Sequence, residues 1–222
     1  MLANLLYKAT LETLYMSLVS TILAFIIGLG LAVILILTKK GGLAQNIAIY
    51  RTLDIIVNTL RSFPFIILMI VLFPLTKLII GTSIGTSAAI VPLTIGSAPF
   101  IARLIEAAML EVDKGVIEAA MSFGASRFQI IFKVQLREAL PAIINALTLT
   151  LIMIIGFSAM AGTVGGGGLG DVAVRYGYQR FKPDVMIYTV IILILLVQII
   201  QSLGDFAYKN YKKFMFNYEI LR

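Results

Sequence analysis

The chain has 222 residues, 60% of them hydrophobic and 13% charged, with a formal net charge of +7. Ordinary soluble domains are about half apolar and a quarter charged, so this excess excludes a water-soluble fold and points to a bilayer. Cysteine and histidine are absent, which excludes disulfides, Cys- or His-ligated metal and a His-based general base; the scattered cations carry no nucleic-acid motif.

Five apolar segments follow in chain order. The first covers residues 10–37, with its apolar run from Leu18 to Leu37 behind Lys8 and Glu12. It is too long for the apolar core of a cleavable signal, so it is expected to stay as a membrane helix. Lys39-Lys40-Gly41-Gly42 ends it, cations and glycine being helix stop signals. The second, 55–80, is interrupted by Pro64 and Pro74, and the third, 84–108, carries Pro92 and Pro99. Kinks are expected in both. Gly81 and Gly85 fall in the loop between them, a poor place for a helix-packing motif. The fourth runs from Leu140-Pro141 to Met160, and the fifth spans 185–203, with residues 206–222 as a tail. The fold class expected is an all-α integral membrane protein of five transmembrane helices.

Five spans put the termini on opposite faces. Thirteen of the 18 Lys and Arg fall on the side of the loops after spans one, three and five, and five on the other. The positive-inside rule then places the N-terminus outside and the C-terminus in the cytoplasm.

The long loop between spans three and four is therefore expected to be cytoplasmic. Asp113 can cap a helix starting at Lys114, and Gly124 can end it. Ser126-Arg127-Phe128-Gln129 reads as a capping box for a second helix. Ile117, Ala120, Met121 and Gly124 recur at helical spacing, as do Phe128, Ile131 and Phe132. Both helices are too short to span a bilayer, so their apolar stripes need cover from lipid, from the spans or from a partner.

No acidic residue falls in the middle of a span, whereas proton-coupled carriers place relay carboxylates there. No G-x-x-x-x-G-K-[ST] phosphate loop occurs either. Uphill transport would need energy delivered by another subunit, and the cytoplasmic helix pair is where that subunit would dock. The rivals are an ion-coupled secondary carrier and a passive channel or scaffold.

Glu118-Ala119-Ala120, with Gly124 four places on, resembles the EAA motif of binding-protein-dependent ABC importer permeases. The likeness is strongest to the methionine-importer subfamily. It extends over Tyr50-Arg51-Thr52, Arg61-Ser62-Phe63-Pro64-Phe65, the stretch from Gly81 to Arg103, and Ser158-Ala159-Met160 with the glycines that follow. The resemblance covers about residues 10–205 and implies a type I importer transmembrane domain there, with its coupling helix within 113–125. It implies a second permease copy, two ABC ATPase subunits, an extracytoplasmic substrate-binding protein, and methionine or a related small amino acid as cargo. The setting implied is a bacterial inner membrane. No catalytic residue, metal or cofactor is implied, since ATP hydrolysis would lie on the partner chain. One departure stands out: the family's Ile-x-Leu-Pro is Val134-Gln135-Leu136-Arg137 here.

The resemblance assigns docking on the ATPase to Glu118, Ala119, Ala120 and Gly124, and a possible gate to Met160. Gly165 to Gly168 has no strand before it and no Lys-Ser/Thr after it, so it reads as a flexible outer loop rather than a phosphate cradle. Arg61 and Arg103, at the cytoplasmic ends of spans two and three, read as cations snorkelling to the interface.

Overall fold

The computed structural model describes the backbone of residues 2–220 and the side chains as far as Lys213. The end of the expected tail, with the Glu219 side chain and all of Arg222, lies outside the described residues. No strand occurs among the described residues.

Helix α1 (Leu2–Thr38) begins well before the expected residue 10. At about 1.5 Å per residue it is longer than the hydrocarbon core is thick, long enough to leave Glu12 outside that core. Helix α2 (Ile47–Ser62) is capped by Asn46, whose Oδ1 accepts from the Ile49 N–H at 3.2 Å. The chain then turns through 106° into α3 (Phe65–Val71). Pro64 disfavours the helical conformation at Phe63, which lies at φ −71°, ψ 129°. The expected kink of the second segment is thus a full break. Helix α4 (Phe73–Ile80) follows, with Pro74 in its first turn, where no N–H is missed.

Helix α5 (Thr86–Leu110) runs through Pro92 and Pro99 as one element. The short α6 (Lys114–Ser122) and α7 (Arg127–Gln129) come next, then a π-helical stretch (Ile130–Gln135) and α8 (Leu136–Glu138). Helix α9 (Leu140–Thr163) leads to α10 (Gly168–Val172) and a second π-helical stretch (Ala173–Tyr178). Helix α11 (Pro183–Ile220) passes residue 206 without a break, so the tail is a continuation of the last helix as far as it is described. Among the described residues four helices, α1, α5, α9 and α11, are long and apolar enough to cross a membrane, or five spans if the bent α2–α3 pair is one.

Lipid is as apolar as leucine, so helices associate in it through close packing of small residues. Ala24 and Ala32 of α1 are fully buried against Ala98, Ile101 and Ile105 of α5. Between them, a Cβ added at Gly28 would come within 2.3 Å of Ile101 Cγ2 and 3.0 Å of the Ala98 carbonyl oxygen. A second cluster joins Met16, Phe65, Leu93 and Ile154, and the Phe65 and Phe157 rings stack at 4.3 Å, drawing α3 onto α9. Helix α11 turns Ile187, Ile191, Ile194, Leu195, Ile199 and Leu203 outward, a sheath that suits lipid and not water.

The glycine run is a packed turn, not the loose loop expected. Gly85 N–H donates to the Gly165 carbonyl at 2.8 Å. The N–H groups of Gly168 and Leu169 donate to Glu12 Oε2 and Thr13 Oγ1, each at 2.9 Å. Positive φ at Gly165, Gly167 and Gly168 (+88°, +76° and +75°) explains the glycines. Leu169 and Val172 then bury against Ala9 and Val185, wedging α10 between α1 and α11.

Candidate functional site

Helix α6 stands at the opposite end of the bundle from α10. Its start is fixed by Asp113, whose Oδ1 accepts from the Gly115 N–H at 2.6 Å. At its end Gly124 lies at φ +74°, where its N–H donates to the Met121 carbonyl at 2.9 Å and the Ala125 N–H reaches the Ala120 carbonyl at 3.1 Å. These two bonds make a Schellman turn, which satisfies the last carbonyls of a helix and favours glycine at this position. Ser126 and Gln129 form the expected capping box, the Ser126 N–H donating to Gln129 Oε1 at 2.8 Å. The local chemistry of this loop is as the sequence predicts.

Its embedding is unusual. Not one residue of α6 is buried. Clefts flank it, one of about 400 Å³ lined by Lys39, Lys114, Ile117, Glu118 and Gln135, the other of about 770 Å³ lined by Glu111, Asp113, Val116, Glu138 and Asp205. Ile117 and Ala120 are half-buried and face the body, while Glu118, Ala119 and Gly124 are exposed. Phe123 is 91% exposed and Phe128 67%, with Val116 and Met121 also open. The Phe128 ring packs on Phe132, at 4.5 Å between centroids, and Phe132 is exposed as well. An exposed aromatic surface of this kind, held on well-capped turns, needs cover from lipid or from a partner rather than water.

Glu118, Ala119 and Ala120 thus lie on α6 and Gly124 in the turn that ends it, all exposed except the half-buried Ala120. Around Gly124 an added Cβ would meet nothing within 4 Å, so glycine is required by its φ rather than by crowding. Glu118 makes no ion pair among the described residues and overlooks the cleft that Lys39 and Lys114 also line. Burial lowers the Lys39 amino group below its ordinary value, with Glu106 opposing and Lys114 reinforcing. The departure Val134-Gln135-Leu136-Arg137 straddles the end of the π-helical stretch and the start of α8, and the π-helical stretch anchors the loop from behind. Gln135 is 5% exposed, and its Nε2 donates to the Met109 carbonyl at 3.2 Å.

Met160 lies apart, near the far end of α9, and is 47% exposed. It shares a stripe of that helix with the exposed Leu149 and Gly156, and Gly156 has open space where a side chain would be. The structure does not bring Met160 near α6.

Arg103 is not a snorkelling cation. Its side chain is 17% exposed, and its guanidinium bonds Glu106 Oε2 at 2.7 Å, Asn58 Oδ1 at 3.2 Å and the Asp54 carboxylate. Glu106 is itself only 5% exposed. The cluster straps α2 across the end of α5. Arg103 and Glu106 are a local i,i+3 pair, and Asp54 and Asn58 stand one turn apart, but the two halves are 45–49 residues apart, so no local pattern joins them.

Comparison with known proteins agrees with this geometry. The probable D-methionine transport system permease protein MetI of Vibrio cholerae is 57% identical over 91% of this chain and 90% of its own length. The methionine import system permease protein MetP of Bacillus subtilis is 50% identical, over 90% of each chain. A crystal form of the inward-facing MetNI methionine ABC transporter contains a chain that superposes with a TM-score of 0.93 at 48% identity, covering 94% of this chain and 97% of that one. Residues 24–216 match the family of binding-protein-dependent transport system inner membrane components, and the chain belongs to it.

Proposed function

We propose that this chain is the permease of an ATP-driven methionine importer, two copies forming the pathway and each receiving an ATPase subunit on α6. The observation that carries this reading is α6 itself. It is a rigidly capped helix with Val116 and Met121 exposed on it and the exposed Phe123 and Phe128 in the turn and helix that follow, in a sequence with no phosphate-binding loop of its own. Methionine as cargo is supported by the names of relatives at about half identity.

In this reading the α6 end is cytoplasmic and carries most of the Lys and Arg, while the α10 end faces outward and meets the substrate-binding protein. The membrane is the bacterial inner membrane. Closure of two ATPases on ATP would draw the two α6 helices together and swing the pathway from inward- to outward-facing. Such a shift is driven only by contacts that differ between the two states. Glu118 would accept from donors in the ATPase groove, and Ala119, Ala120 and Gly124 would let the groove wall approach. Met160, unbranched and exposed, would meet its counterpart across the two-fold axis as a gate.

The test is Gly124→Trp against Gly124→Asn in the reconstituted transporter. Tryptophan at positive φ strains the turn and blocks the groove, so uptake should vanish while membrane insertion stays normal. Asparagine tolerates this backbone and should keep most activity. Full uptake by the tryptophan variant would refute docking here.

A further inference from the structure

Arg61 closes α2 beside the break at Phe63-Pro64, and its situation is the reverse of that of Arg103. It is exposed and makes no ion pair or hydrogen bond among the described residues, and it stands at the rim of a cavity of about 260 Å³ whose other walls are aromatic and aliphatic. Phe63 and Phe65 come from the break, Phe100 from α5, and Met153 and Phe157 from α9. Gly96 provides the floor: a Cβ there would stand 3.2 Å from Leu68 Cδ2 and 3.3 Å from Phe65 Cδ2. Gly96 and Met153 fall near the middle of α5 and α9, and α2–α3 is the broken helix of the bundle. Carriers place substrate at mid-depth beside such breaks.

A guanidinium without a protein partner, at the mouth of an apolar cavity, calls for a planar anion. The aromatic walls and Met153 suit a flexible, polarisable apolar chain, since thioethers pack favourably on aromatic rings. We infer that this cavity is a transient subsite for an α-amino acid with a long apolar side chain, its carboxylate on Arg61 and its side chain over Gly96. The inference rests on the methionine reading above and deepens it. A lipid phosphate could satisfy the same guanidinium, so the test must separate the two anions.

The complete transporter (permease, ATPase and binding protein) is reconstituted in vesicles and exposed to a diazirine analogue of methionine. It is irradiated and digested, and the labelled peptides are identified by mass spectrometry. Adducts are expected within 63–68, 96–100 or 153–157, displaced by excess methionine and not by methionine amide, which lacks the carboxylate. Arg61→Ala should cut the adducts roughly tenfold to a hundredfold, the range of a charge-assisted hydrogen bond, and abolish the distinction between acid and amide. Arg61→Lys should keep that distinction, which guards against a misfolded alanine variant, and Gly96→Val should remove the adducts with Arg61 intact. Exchanging anionic for neutral lipid should change none of this. Adducts elsewhere, adducts indifferent to Arg61→Ala, or equal displacement by the amide would overturn the subsite. So would a dependence on anionic lipid. Methionine uptake is followed in the same vesicles: uptake without these adducts sinks the subsite alone, whereas no uptake at all sinks the functional reading and the subsite with it.

Discussion

Short helices stand at both ends of this bundle, each beside glycine, and they are embedded in opposite ways. At the α10 end, Gly162, Gly166 and Gly170 are glycines because there is no room: a Cβ on Gly170 would meet the Ala159 carbonyl oxygen at 2.2 Å. At the α6 end, Gly124 has empty space around it and is glycine because of its φ of +74°. Helix α10 has Leu169 at 0% exposure, with its first N–H groups held by Glu12 and Thr13. Helix α6 buries nothing and stands between two clefts. One element is fastened into the fold, and the other is presented by it. The same residue type thus marks tight packing in one place and a free-standing turn in the other, and only the tertiary neighbours distinguish them.

The largest expected effect follows from crowding. Gly170→Val drives a branched side chain into the α9 backbone, which cannot yield as a flexible side chain would. Overpacking of this kind costs roughly 3 kcal/mol or more. Most of the chain should be lost from the membrane fraction, or should elute as aggregate in mild detergent. Normal yield and melting temperature would show that α10 is loosely seated after all, and the contrast with α6 would collapse.

The complementary change is Phe123→Ser. Phe123 is 91% exposed, so losing its ring should alter melting by no more than about 0.5 kcal/mol. Co-purification of the ATPase should fall with it, and uptake should drop roughly tenfold or more, as for a hot-spot aromatic. A stability loss with unchanged uptake would reverse the roles assigned to the two ends.

These contrasts bear on what was legible in the residues themselves. Asp113, Gly124 and the Ser126–Gln129 box were readable because caps and turns are set by partners within four residues, and the structure places each as the sequence predicts. The long apolar segments were readable from composition, but at Pro64 proline chemistry announced only a kink where the chain breaks through 106°. Helix α10 escaped notice because its glycines suggested looseness. Yet Leu169, Val172 and Tyr176 already lay at helical spacing, and Asp171 pairs with Arg175 at 2.9 Å one turn on. The spacing of Ala24, Gly28 and Ala32 likewise signalled close approach of α1 to a neighbour. The Arg103 cluster lay beyond reach, because its anchor Asp54 comes from another helix 49 residues earlier. Long-range charge pairing is decided by the fold and leaves little trace in local sequence. Relatives at about half identity place this chain among permeases, but only the fold tells which of its short helices are packed and which are exposed.

The smallest effect sharpens how α6 is seated. Lys39 lines the cleft behind that helix, and burial holds its amino group below the ordinary value of 10.5 despite the opposing field of Glu106. The unfolded chain therefore binds more protons between the lowered folded value and 10.5, so stability rises with pH across that window. At neutral pH the charged form carries its full desolvation penalty. Lys39→Met should leave melting at pH 7 unchanged or slightly raised. Its advantage over the wild type should shrink as pH climbs through the window, as measured by thermal melts of the detergent-solubilised complex over that range. A clear loss of stability at pH 7 would mean instead that attraction to Glu106 dominates. In that case the cleft behind α6 is fastened by charge much as α10 is fastened by Glu12, and the two ends differ less than their burial implies.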